Sequence, residues 1–104
     1  MTKRVMRYPP LPKAIEGPGG PVRVIVSKQP IRHEHAECWG LYDSELRTIT
    51  IDGRAAPRQR WKTFFHELVH VAILDSGLDN GLSDALHEAI CDAIATARMR
   101  ERFG

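Results

Sequence analysis

The chain has 104 residues, 15 lysines and arginines against 13 aspartates and glutamates, and a formal charge of +2. That is one small domain with a single core, too short for two cores and too apolar to be disordered. So small a charge indicates neither a nucleic-acid surface nor a membrane-binding one, and no apolar run is long enough to span a bilayer.

The positive excess gathers at the ends, in Lys3, Arg4, Arg7 and Lys13 and in Arg98, Arg100 and Arg102, and reads as solvated termini. "MTKRVMRYPPLPKA" has charges but no apolar core of a secretory leader. Cys38 and Cys91 are therefore expected as reduced thiols of a cytoplasmic protein. Residues 1–21, with five of the seven prolines between Tyr8 and Pro21, read as an irregular arm that Tyr8, Leu11 and Ile15 tack onto an apolar face. Residues 22–104 read as the domain.

"VRVIVSK" alternates Val22, Val24 and Val26 and predicts a strand. "IRHEHAE" is ambiguous; His33 and His35 share one face if it is extended, and read as surface histidines. "CWGLY", the turn "DSEL" and "RTITID" predict a hairpin, with Ile49 and Ile51 on one side. Pro57 can open a helix because its missing N–H is not needed in the first turn. Trp61, Phe64, Phe65, Leu68, Val69 and Ala72 then recur at helical spacing to about Asp75, and Gly77 and Gly81 end the run. Ser83 caps a second helix to about Arg102, with an apolar stripe of Leu82, Leu86, Ala89, Ile90, Ala93 and Ala97. The fold class is α+β, a small sheet followed by two helices.

Inside the first helix stands "FFHELVH". His66 and His70 are one turn apart and about 40° apart around the axis, so both imidazoles can reach one ion, with Glu67 beside them to meet a water. A catalytic zinc takes three protein ligands and keeps one position for water. The second helix offers the third. Glu88 lies opposite its apolar stripe, with Asp92 one turn later to accept a ligand histidine's other N–H. Cys91 is the competing ligand, since thiolate binds zinc well. His87 is turned about 100° from Glu88 and cannot face the same ion from a regular helix.

With these residues in view, "GLYDSELRTITID…FFHELVHVAIL…LHEAICDAIA" resembles the zinc metallopeptidases of gluzincin type. The likeness is strongest to the compact ImmA/IrrE-like and phage-encoded metallopeptidase-like proteins, over roughly Trp39 to Ala97. The resemblance implies a minimal zincin-like fold whose C-terminal helix carries the third ligand, and one Zn2+ ion. It also implies hydrolysis of a peptide or protein substrate with Glu67 as general base. The strand near Gly40–Tyr42 would border the cleft and pair with an extended peptide. Tyr42, at the end of that strand, is preferred over His33 and His35 as the group stabilising the transition state. The alternative is a zinc-stabilised binding module without catalysis, its site closed by Cys91 or Asp84. On either reading the second helix's apolar stripe faces away from the ion and needs a cover, from the arm or from a second copy of the chain.

Overall fold

The computed structural model describes residues 8–104; Lys3, Arg4 and Arg7 of the basic N-terminal group lie outside the described residues. Among the described residues, six strands precede two α-helices. The strands are β1 (Ala14–Gly17), β2 (Gly20–Ser27), β3 (Ile31–His33), β4 (Ala36–Cys38), β5 (Gly40–Asp43) and β6 (Thr48–Asp52). The helices are α1 (Pro57–Ser76) and α2 (Asp84–Phe103), joined by a short 3-10 turn at Leu78–Gly81. The fold is α+β, as expected. No helix among the described residues is long and apolar enough to cross a membrane.

Four strands form one mixed sheet in the order β1-β2-β6-β5, with β2 and β6 parallel and the outer pairs antiparallel. The β5–β6 hairpin lies where its alternation placed it, and Ile49 and Ile51 are 0% exposed. Asp43 shapes its turn by accepting the backbone N–H groups of Glu45 and Leu46, each at 3.0 Å. Val22 and Val24 are buried as the β2 pattern requires, whereas Val26 is half exposed.

Two segments differ from the sequence reading. Part of the irregular arm is regular: Ala14–Gly17 pairs with β2. The ambiguous "IRHEHAE" is a separate hairpin, β3–β4, turning through Glu34 and His35 at φ 51° and 69°. Two consecutive positive φ values match the twist of a two-residue hairpin. They also take His35 off the face of His33.

Both helices begin where their signals put them, and α1 also ends at its own. Pro57 opens α1, and Gly77, left-handed at φ 76°, closes it by donating its N–H to the carbonyls of Ile73 and Leu74. Ser83 caps α2 by accepting the Leu86 N–H. The α1 face that packs on the sheet runs through Trp61, Phe64, Phe65, Leu68 and Val71, and Ala72 is exposed. Gly40 lets β5 approach this helix: a Cβ there would fall 2.5 Å from Cγ2 of Thr63.

The packed face of α2 is not its longest apolar stripe. Cys91, Ala95 and Met99 are buried, at intervals of one turn, while Leu86 and Ile94 are 50% and 42% exposed. Beside the imidazoles, the small Cys91 and Ala95 let α2 lie close against α1, where leucine or isoleucine would hold it off, and Met99 fills the core further along. The described part of the arm does not cover the open stripe. It turns to the other end of the molecule, where Trp61 Nε1 donates to the Pro9 carbonyl at 2.7 Å and the Tyr8 ring packs on Phe103.

Candidate metal centre

Close packing of α2 on α1 brings four titratable side chains to the imidazole pair. Nε2 of His66 is 3.0 Å from one carboxylate oxygen of Glu88, and Nε2 of His70 is 3.0 Å from the other. The remaining ring nitrogens are held as well: Nδ1–H of His66 donates to Asp92 at 2.8 Å, and Nδ1 of His70 shares a hydrogen bond with Nε2 of His87 at 2.8 Å. Beneath them Cys91 is fully buried. A nitrogen lone pair facing a carboxylate oxygen is repulsive, so each Nε2–Glu88 contact needs a proton or a cation between its atoms.

The chemistry of this donor set fits a divalent cation. His66, His70 and Cys91 together could hold a metal ion, their ligating atoms all lying within 4.8 Å of one another. Imidazole, carboxylate and thiol are the donors that zinc sites use, and carbonyl-rich cages for calcium or magnesium look different. Burial holds His70 below its ordinary pKa, against the pull of Glu88, which keeps its ring neutral and able to donate a lone pair.

Glu67 is 7% exposed, between β5 and the imidazoles. Burial pushes its carboxyl up to about 7; the Glu88 charge adds to the rise, while His66 and the backbone N–H of Tyr42 oppose it. A carboxylate that exchanges its proton near neutrality is suited to general-base work. Cys91 is pushed up to about 12, by burial first and then by Glu88, so without a cation it is a neutral thiol.

His66, Glu67, His70, Glu88 and Asp92 line a cleft of about 630 Å³ whose walls also include Trp39, Leu41, Lys62, His33 and Leu74. β5 is an edge of the sheet and forms one side of it. A larger cavity, about 1170 Å³, lies between the arm and β2; its lining among the described residues includes no histidine, cysteine or carboxylate, so it lacks the chemistry of the cleft.

No protein-family model, curated protein or solved structure matches the chain.

The structure brings together His66, Glu67, His70, Glu88 and Asp92 from the sequence reading. Tyr42 lines the same cleft, with its hydroxyl in the field of the Arg47–Asp75 pair. That oxygen is buried without a hydrogen-bond partner among the described residues, and the charges it feels are those of Arg47, Asp75 and Asp43. What Tyr42 gives the site is its backbone N–H, donated to Glu67. His33 borders the cleft and His35 sits in the β3–β4 turn. Sequence reasoning missed His87. The argument that it cannot face the same ion as Glu88 holds, but its target is the other nitrogen of His70. The available signal was the ladder His87, Cys91, Ala95, Met99, four residues a turn apart along the packed face.

Proposed function

We propose that the chain is a zinc metallopeptidase of the gluzincin type, cutting peptide bonds with a water activated at one zinc ion and Glu67 as general base. The observation that carries this reading is Glu88. It spans the two imidazoles of H-E-x-x-H with one oxygen at 3.0 Å from each, while a buried carboxyl stands beside them. His66, His70 and Glu88 would hold the ion, leaving one corner open.

What the ion supplies, when bound, is Lewis acidity that lowers the pKa of water toward ~7 and polarises a peptide carbonyl. The side chains supply the rest. Asp92 and His87 fix the two rings by their Nδ1 atoms, so that both Nε2 atoms converge. Glu67 takes the proton of the attacking water and passes it to the leaving amine. Burial keeps that carboxylate poorly solvated and basic, and the Tyr42 N–H fixes its direction. The edge of β5, its Tyr42 N–H directed at Glu67, offers its remaining outward backbone groups to an extended peptide, which would lay the scissile bond along the cleft.

One observation favours a second reading. Cys91 lies within the metal-capable group, and a site closed by a thiolate would make the ion a staple for a small binding module rather than a catalyst. Glu67 argues against it, because a closed structural site has no use for a buried carboxylate beside the ion. The deciding experiment is metal analysis and peptide-library digestion with wild-type chain and Glu67→Gln. One zinc per chain in both proteins, with cleavage in the wild type alone, supports the peptidase. Zinc in both with cleavage in neither supports the binding module.

A further inference from the structure

The imidazole pair has donors on two sides. Glu88 and Cys91 are three residues apart on α2, hence neighbours on one helix face. Their surroundings are opposite: the Glu88 side chain is mostly exposed, and Cys91 is wholly buried. Ligand bonds of ~2.0–2.1 Å to nitrogen and ~2.3 Å to sulfur put the donors of a tetrahedral zinc about 3.5 Å apart. The donor atoms of His66, His70 and Cys91 lie within 4.8 Å of one another and would draw in around an ion to reach that spacing. Glu88 approaches the same two rings from solvent.

We propose that Cys91 is the fourth ligand of the centre, completing a closed resting state of two imidazoles, Glu88 and a thiolate, and that substrate or water displaces it. This rests on the metallopeptidase reading and assigns the corner that the reading leaves for water. As the sulfur–metal bond forms, the S–H bond breaks and its proton goes to solvent. When the thiolate leaves, it takes a proton back; nothing is oxidised or reduced. The arrangement gives the chain a metal that is tightly held when idle and open when a peptide competes for it.

Cobalt(II) in place of zinc tests this without relying on activity, because a thiolate ligand adds a sulfur-to-cobalt charge-transfer band in the near ultraviolet to the visible bands of the ion. The full chain with one equivalent of cobalt is expected to show that band in wild type and in Cys38→Ser, and to lose it in Cys91→Ser while the visible bands remain. The chain has two cysteines, so a band that survives Cys38→Ser assigns the sulfur even if Cys91→Ser does not fold. Titration with a small hydroxamate should then extinguish the band as the thiolate leaves. Visible bands without a charge-transfer band in wild type overturn the Cys91 assignment and leave the zinc reading standing, and loss of the band in Cys38→Ser moves the ligand to the other thiol. A band that persists at hydroxamate saturation overturns the exchange, and an absence of cobalt binding overturns both this assignment and the metallopeptidase reading.

Discussion

Nδ1 of His70 lies 2.8 Å from Nε2 of His87, so each histidine of the H-E-x-x-H pair is held from behind by a side chain of α2, His66 by Asp92 and His70 by His87. For Nε2 of His70 to give its lone pair to a cation, Nδ1 must carry the proton and donate it to His87. Groups that orient a ligand imidazole in this way typically change metal affinity 10–100-fold when removed. His87→Ala is therefore expected to weaken zinc binding by about that factor, and His87→Gln, whose amide oxygen can accept the same hydrogen bond, to recover part of it. Competition with a chromophoric chelator reads both; equal affinity in all three proteins would remove His87 from the site.

Glu67→Gln separates binding from chemistry. The amide keeps the shape of the carboxyl and can still accept the Tyr42 N–H, but it cannot take a proton from water. Zinc content should be unchanged, and turnover of any cleaved peptide should fall by about 10²–10⁴-fold, the usual worth of a positioned general base. Parallel loss of metal in this variant would make Glu67 part of the ligand set instead.

The local features were legible because local physics determines them. Pro57, Gly77 and Ser83 act within one turn of themselves, Ile49 and Ile51 follow the period of a strand, and His66 and His70 follow that of a helix. That Glu88 meets the imidazole pair was legible for a similar reason, since it had to stand opposite an apolar stripe. What the residues left open was the cover of α2's apolar stripe. The stripe of Leu86 and Ile90 was expected to face away from the imidazoles, and the face toward α1 follows from what α1 presents, since two imidazoles and a buried carboxyl leave room for Cys91 and Ala95 rather than leucine. Arg47 and Asp75, 28 residues apart, carry no local signature at all.

That pair gives the acid limit of the fold. Arg47 grips Asp75 with two hydrogen bonds, 2.7 and 3.0 Å, and also donates to the carbonyls of Gly20 and Pro21, while the Gly19 N–H donates to the same carboxylate at 2.8 Å. The turn of β1–β2, the turn of β5–β6 and the C-terminal end of α1 are thereby pinned together. The Arg47 guanidinium first, then the Gly19 N–H, holds the Asp75 carboxyl down at about 2, and Arg54 likewise lowers Asp52. An unfolded aspartate titrates near ~3.9, so a lowered folded value contributes stability that is complete above that pH and lost as pH falls through the folded value. Denaturant melts should show stability declining from about pH 4 toward pH 2, and Asp75→Asn should flatten that decline while lowering stability at pH 7. An unchanged acid slope in the variant would assign the loss to other carboxylates.

The two faces of α2 make opposite predictions. Met99 is 2% exposed and belongs to the core with Trp61, Phe64 and Phe65, so Met99→Ala removes buried surface and leaves a cavity, at a cost of about 2–5 kcal/mol. Leu86, half exposed on the stripe the sequence favoured, should cost less than about 1 kcal/mol when changed to Ala, because little surface is returned to water. Urea unfolding of both variants measures the difference directly. If Leu86→Ala costs as much as Met99→Ala, the stripe is covered in solution, and sedimentation of the wild-type chain then tells whether a second copy covers it: a dimer that Leu86→Glu dissociates places the partner on this helix, and a monomer leaves the cover to the chain itself.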